Sequence, residues 1–271
     1  GGGGQLRGGT NRSYLPPKSI ETLEWLWYSM EIMTETTETT VPAQAGTGVE
    51  RLFGVGAHFA QVKSRRHPSM RSFVLGSKAN VEIFDLTKTD AQLARAKTAL
   101  AALGRDGKTV LIVGGKREAT DAVKATGTRL AQPYVAGRWL GGTISNFVEI
   151  KKRIDRLADL LGKRETGELS KLYTKLERVR IDREIAKLTL RLSGLTSMSK
   201  RPDALVIVDT KHEAHATKEA RQAGIPIIAI MSSDCDLKDA SFPIVVNDAS
   251  RASIALILDE LATAFESGIK G

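Results

Sequence analysis

Thr109–Gly115 reads TVLIVGG. Four consecutive apolar residues ending in two glycines mark a short strand buried on both faces, the kind found in a parallel sheet, rather than a half-exposed strand with alternating polarity. Outward from it the same grammar repeats. KREATDAVKATG supplies a helix, with Gly127 read as its stop, and QPYVAG gives a further short strand. DALVIVDT, a helix from His212 to Ala223, IPIIAIMSS, FPIVVND and a last helix from Ser250 to Phe265 continue the alternation. Upstream, Asp90 to Leu103 repeats alanine and leucine at helical period, and Phe73–Leu75 and Val81–Phe84 read as strands around a GSKAN turn. Strand–helix alternation with short connections predicts an α/β fold: a doubly wound, mainly parallel sheet flanked by helices through right-handed crossovers.

One stretch interrupts the alternation. Ser145 to about Leu161 carries Ile150, Ile154, Leu157 and Leu161 at spacings of four, three and four, and Glu168 to about Leu192 carries a second apolar stripe that shifts phase near Val179. GKRETG lies between them as a turn. This predicts an inserted α-helical, coiled-coil-like hairpin over 145–201, splitting an α/β body of 49–144 and 202–271. Residues 1–48, with GGGGQLRGGTNRS, a small apolar patch at Trp25–Tyr28 and MTETTETT, read as a disordered tail or an artefact of the gene start.

Charge follows the same division. The chain holds 40 Lys+Arg and 31 Asp+Glu, a formal +9. Fifteen basic and seven acidic residues fall between Ile150 and Arg201, leaving 25 against 24 elsewhere, a near-neutral body. A basic segment on a neutral body predicts a nucleic-acid or other polyanion footprint; a solvated helical face is the simpler alternative. A single cysteine, Cys235, excludes an intramolecular disulfide framework and a cysteine-cluster metal site. No apolar run reaches the roughly 18 residues of a membrane span, and a cytoplasmic location is expected.

The candidate polyanion contacts form three groups. Lys63, Arg65, Arg66 and Arg71 surround Pro68 in a loop; Lys116 and Arg117 follow a Gly-Gly turn at an expected helix start, where backbone N–H groups favour an anion; and Arg138, Lys151, Lys152 and Arg153 stand at the base of the expected hairpin. Three successive basic residues splay over most of a helical turn, so only one or two of the last three are expected to meet one strand. The joint itself is GRWLGGTISNF, Gly137–Phe147. Trp139 is read chiefly as an anchor, or as a base-stacking ring; Gly141 and Gly142 as allowing close backbone approach; and Asn146 as capping or bracing the first hairpin helix.

Catalytic readings are weaker. VGGKREA is half a dinucleotide fingerprint without the full G-x-G-x-x-G spacing. Asp209 with His212 and His215, or the carboxylates Asp234, Asp236 and Asp239, offer metal or hydrated-magnesium readings, with a solvated surface as the default. No nucleophile–base–orienter set emerges, so no enzyme activity, no cofactor and no metal are expected. A third class, a protein-docking scaffold, remains compatible with polyanion binding.

Five blocks in order, GAHFAQVKSRRHPSMRSFVLGSKANVEIFDLTKT, VGGKREA, GRWLGGTISNF, PDALVIVDTKHEAHATKEARQAGIPIIAI and NDASRASI, resemble the family of the second protein of the small ribosomal subunit, in its bacterial form. The resemblance covers roughly Val49 to the C-terminus, with local departures at Ala60, Gln61, Arg66, His67 and Leu237. It implies a parallel sheet with a protruding helical hairpin and a structural role on small-subunit rRNA. It also implies contact with neighbouring small-subunit proteins, including the large mRNA-recruiting first protein.

Overall fold

The computed structural model describes residues 48–270; the expectations for residues 1–47 lie outside them. Five strands form one parallel sheet in the order β5-β4-β6-β7-β8: β4 (Val110–Val113), β5 (Tyr134–Val135), β6 (Ala204–Val208), β7 (Ile227–Met231) and β8 (Phe242–Val245). Chain order runs outward in both directions from the β4–β6 pair, the doubly wound arrangement. A separate antiparallel sheet, ordered β1-β3-β2, joins β1 (Phe59–Val62), β2 (Val74–Lys78) and β3 (Val81–Phe84).

Alternation along the parallel strands sorts their side chains into two cores. Val110, Ile112, Val206, Val208, Ile228 and Ile230 face one side, where they meet α1 (Gly48–Gly54), α2 (Leu86–Arg105), α3 (Thr120–Arg129) and α8 (Arg251–Lys270) through Leu52, Leu93, Leu100, Val123, Ile257 and Phe265. Leu111, Val113, Leu205, Ile207, Ala229 and Met231 face the other, against Trp139, Ile144, α4 (Phe147–Glu165), α6 (Lys175–Leu192) and α7 (Ala214–Gln222). Period-two alternation thus explains why these strands read as unbroken apolar runs: both faces are covered.

Several local expectations change. The segment after Gly56 is not all loop, since Phe59–Val62 pairs with β3 and the Pro68 region winds into a 3₁₀ turn to Phe73. The turn between β2 and β3 shrinks to Ala79 and Asn80, both at positive φ (48° and 65°), which sets a tight two-residue hairpin. Asp85 caps α2 by accepting from Thr87 N, so that helix starts four residues earlier than its alanine–leucine period suggests. Gly127 does not stop α3, which continues to Arg129; the glycine is there because the Tyr134 ring fills the place a Cβ would occupy.

Between β5 and β6 the chain forms three helices, not two: α4, the short α5 (Glu168–Leu172) and α6. The break at Tyr173–Thr174 has a local cause. The Thr174 side chain accepts from Glu177 N, and Glu177 in return accepts from Thr174 N, a capping box that starts a new helix. Ile150, Ile154, Leu157, Leu160, Ile185 and Leu192 are buried and continuous with the core on that face of the sheet. Leu169 is buried, whereas Leu172, Leu176 and Val179 are exposed, so the second apolar stripe is uncovered from Leu172 to Val179.

Candidate nucleic-acid interface

The joint at Gly137–Phe147 is organised by a residue that sequence reasoning did not single out. Glu219, on α7, directs its carboxylate into the turn and accepts five hydrogen bonds. Oε1 accepts from Trp139 Nε1 at 3.1 Å and Gly142 N at 2.8 Å, and Oε2 from Ile144 N at 3.1 Å, Ser145 N at 3.3 Å and Ser145 Oγ at 3.2 Å. Burial alone would raise the Glu219 pKa, but the donors from Gly142, Trp139, Ile144 and Ser145 outweigh it and hold the group below the usual carboxylate range. The indole of Trp139 is 7% exposed and packs into the core that α4 and α6 share with the sheet. A ring so covered offers no face for a base.

Two of the expected roles at this joint change. Gly142 sits at φ +91°, a backbone region that only glycine adopts without strain, whereas a side chain at Gly141 would meet nothing closer than Glu219 Oε1 at 4.0 Å. Asn146 occupies the N-cap of α4 without a side-chain cap bond; its backbone N–H donates to Gly142 O at 2.8 Å.

The basic candidates divide by whether the fold already uses their charge. Lys63, Arg65 and Arg71 are exposed. Arg66 turns inward to the buried Glu82, with Nη1 at 2.7 Å from Oε1. Lys63, Arg66 and Arg71 line one shallow concavity with Val74–Ser77. Lys151 pairs with Asp155 at 3.1 Å and Lys152 with Glu149 at 2.6 Å, both along α4, pairs worth only a few tenths of a kcal/mol each at an exposed site. Arg117, Arg138 and Arg153 make no ion pair among the described residues.

Lys116 requires a correction. It does not open a helix, since α3 starts at Thr120 and a bend at Lys116 and a turn over residues 117–119 precede it. Its ammonium is held between Asp209 Oδ2 at 3.1 Å and Asp248 Oδ1 at 3.2 Å, and Gly115 N donates to Glu213 Oε1 at 3.0 Å. The glycine turn is thus tied inward instead of being presented to an anion. Desolvation would lower the Lys116 pKa, but the Asp248 and Asp209 charges raise it.

These same residues fill the C-terminal ends of the strands, where an open α/β sheet would place an active site. Asp209, in the left-handed region at φ 64°, accepts from His212 N at 3.0 Å and Lys211 N at 3.1 Å; burial would raise its pKa, but the His212 N–H, Lys116 and the Cys235 thiol outweigh it and lower the value. Asp248 is 1% exposed; Lys116 approaches it off the hydrogen-bonding direction, and neither of its oxygens accepts a hydrogen bond from the described residues. Burial and the nearby Asp209 charge push the Asp248 pKa up to about 7, against the opposing pull of Lys116.

His212 precedes α7 and its Nδ1 lies 2.8 Å from Glu213, so the His212–His215 pair does not stand on one helix. Asp234 and Asp239 pair with Lys211 and Arg221, Asp236 lies 3.9 Å from His67 Nδ1, and no group of three metal-ligating side chains is assembled among the described residues. Burial, then the Asp209 charge, pushes the Cys235 thiol up to about 12. Cys235 is 2% exposed, so a thiol reagent at pH 8 should label it only as fast as the protein unfolds. Labelling at the rate of a free thiol in the absence of urea would contradict this packing.

A second concentration of positive charge lies beside the joint. Arg153 and Arg156 on α4 face Lys187 and Arg191 on α6 across a groove floored by Leu140, Leu188 and Leu192, with Glu184 the one acidic residue in its lining, 3.4 Å from Arg156 Nε. Sequence reasoning found Arg153 and missed the other three. The spacing of Lys187 and Arg191, one helical turn apart on a face flanked by Leu188 and Leu192, was the available signal.

The features together define an α/β protein whose strand ends are tied up by internal ion pairs and whose surface cations concentrate on a helical unit beside the sheet. The description "Ribosomal protein S2" belongs to the family whose profile matches residues 52–268, and the chain belongs to that family. It is 37% identical over 223 residues to "Small ribosomal subunit protein uS2" of Coprothermobacter proteolyticus, covering 82% of this chain and 83% of that one. It is 38% identical over 229 residues to the protein of that name from Roseiflexus sp., covering 84% and 87%. Against "Small ribosomal subunit protein uS2c" of Rhodomonas salina the identity is 36% over 220 residues, covering 81% and 90%.

Proposed function

We propose that this chain is a structural constituent of the small ribosomal subunit, binding its rRNA and neighbouring ribosomal proteins and performing no chemistry of its own. Membership of the family over residues 52–268 carries the reading. The charge distribution supports it: folded RNA is recognised largely by shape and phosphate density, which suits exposed arginines and lysines on a rigid surface. Lys63, Arg65 and Arg71 in the 3₁₀ turns between β1 and β2, with Arg117, Arg138 and Arg153, are the candidates for phosphate contact; Lys151 and Lys152 would first have to leave their helix partners. Arg66 and Lys116 serve the fold instead.

Residues 145–201 are read as an inserted helical unit on an α/β body of 49–144 and 202–271, with α4 and α6 packing in coiled-coil fashion. Its exposed Leu172, Leu176 and Val179 suit contact with protein, and the large mRNA-recruiting first protein of the subunit is a candidate neighbour. The buried thiol of Cys235 and the ion-paired strand ends favour a non-catalytic role. No helix among the described residues is long and apolar enough to cross a membrane, and a ribosomal protein of a bacterial type would work in the cytoplasm.

The test is reconstitution: small subunits depleted of this protein are titrated with the purified chain at increasing salt. Arg65→Ala, Arg71→Ala and Arg138→Ala should each reduce the log–log salt slope by about 0.7–0.9, with circular dichroism unchanged. An unaltered slope in all three would remove these residues from the interface.

A further inference from the structure

We propose that the groove between α4 and α6 is a receptor for one unpaired nucleotide of RNA, its flanking phosphates held by arginine and lysine on both rims and its ribose and base laid on the leucine floor. The inference rests on the rRNA-binding reading and goes further by naming the site and the form of the RNA that fills it.

Four observations carry it. The rims are cationic on both sides, Arg153 and Arg156 from α4 and Lys187 and Arg191 from α6, so a phosphate strand entering from either end meets positive charge. Of these, only Arg156 is engaged, by Glu184 at the long distance of 3.4 Å, while Arg153, Lys187 and Arg191 make no ion pair among the described residues. The floor is apolar: Leu192 is buried, and Leu140 and Leu188 are half-buried, leaving hydrocarbon that water covers poorly. The volume is about 330 Å³, at the low end of small-ligand sites, which run from about 300 to 1,000 Å³, and too small to admit a duplex.

Phosphate affinity alone would be satisfied by charges on a convex surface. A concave apolar floor between two cationic rims adds a place for the part of a nucleotide that is not phosphate. Arginine suits both tasks, since its planar guanidinium forks onto phosphate oxygens and can stack on the face of a base that the floor leaves open. An acidic protein segment would satisfy the rims equally, but it brings carboxylates in place of the flat apolar surface that the floor would cover. The rigid attachment of the groove favours RNA too. Leu140 follows Trp139, whose ring is fixed by Glu219, so the floor is held in register with the sheet before any ligand arrives.

The experiment uses the full chain and an octauridine carrying 4-thiouridine at its centre, a blunt RNA duplex of equal phosphate count, and an octaglutamate peptide. Expected results are binding of octauridine in preference to the duplex and the peptide, with photo-crosslinks mapping to residues 147–165 or 184–192. The combined substitution Arg153→Gln, Lys187→Gln and Arg191→Gln should weaken octauridine binding at least tenfold and lower its log–log salt slope by about 1.4, as loss of contact with the nucleotide's two flanking phosphates requires. Leu188→Ser, which spares every charge, should weaken binding while leaving the slope unchanged, a pattern that pure phosphate attraction would not give.

Crosslinks confined to other segments, duplex or peptide bound as tightly as octauridine, or a slope unmoved by the triple substitution would each overturn the groove assignment. The reconstitution described above separates the two levels. Wild-type chain that enters depleted subunits while the triple variant enters equally well defeats the groove alone, whereas wild-type chain that enters no subunit defeats the ribosomal reading beneath it.

Discussion

Glu219→Ala should lower stability by about 3 kcal/mol, read as a fall in the urea midpoint with little change in slope. Five donors converge on this carboxylate, three of them backbone N–H groups in the turn between β5 and α4. Alanine leaves them to water at the rim and to nothing further in, and a part-buried donor without a partner costs about 1–3 kcal/mol. Glu219→Gln should recover less than half of the loss, because its amide nitrogen then points a donor at donors. Trp139 fluorescence should shift toward that of an exposed indole, since the side chain would lose its hydrogen bond and its fixed seat together. A loss below about 1 kcal/mol, or full rescue by glutamine, would show that packing around Trp139 holds the joint without this carboxylate.

Lys116→Met carries a comparable effect with a pH signature. Removing one partner of a buried ionic cluster costs about 3–5 kcal/mol because it leaves uncompensated charge behind; here Asp209 and Asp248 would face each other with no cation between them. In the wild-type protein Asp248 titrates near pH 7, above its unfolded value of about 3.9. Between those values the folded state holds a proton that the unfolded state has lost, so this group's contribution to stability falls as pH rises toward 7 and is constant above. Without Lys116 the Asp248 pKa moves higher still, so the fall keeps its slope of about 1.4 kcal/mol per pH unit and extends to higher pH. Urea unfolding at pH 5.5 and pH 8.0 should therefore show a small penalty at the acid end and the full penalty at the alkaline end. Equal penalties at both would mean that the triad is not the coupled unit described.

The parts of this fold that were legible are those in which one residue type carries the physics alone. Val110–Val113, Ala204–Val208 and Ile227–Met231 announce buried parallel strands because both of their faces must be apolar. What was illegible depended on distant partners. Gly127 looks like a helix stop until Tyr134 is seen to fill the space beside it. Lys116 looks like a phosphate ligand until Asp209 and Asp248, 93 and 132 residues downstream, are found around its ammonium. Glu219 is one carboxylate on an ordinary charged helix, 80 residues from the tryptophan that it fixes.

The helix break before α6 differs, since Thr174 and Glu177 stand at capping-box spacing in the sequence itself. The basic groove is intermediate. Its charges are visible one helix at a time, but only the registry of α4 against α6 turns two cationic rows into opposite rims.

The most direct measurement is quantitative mass spectrometry of small subunits purified through a high-salt wash from the cells that make this chain. About one copy per particle is predicted, with the chain retained in the washed subunit. Absence from the particles, while the chain is abundant in the ribosome-free fraction, would contradict the assignment.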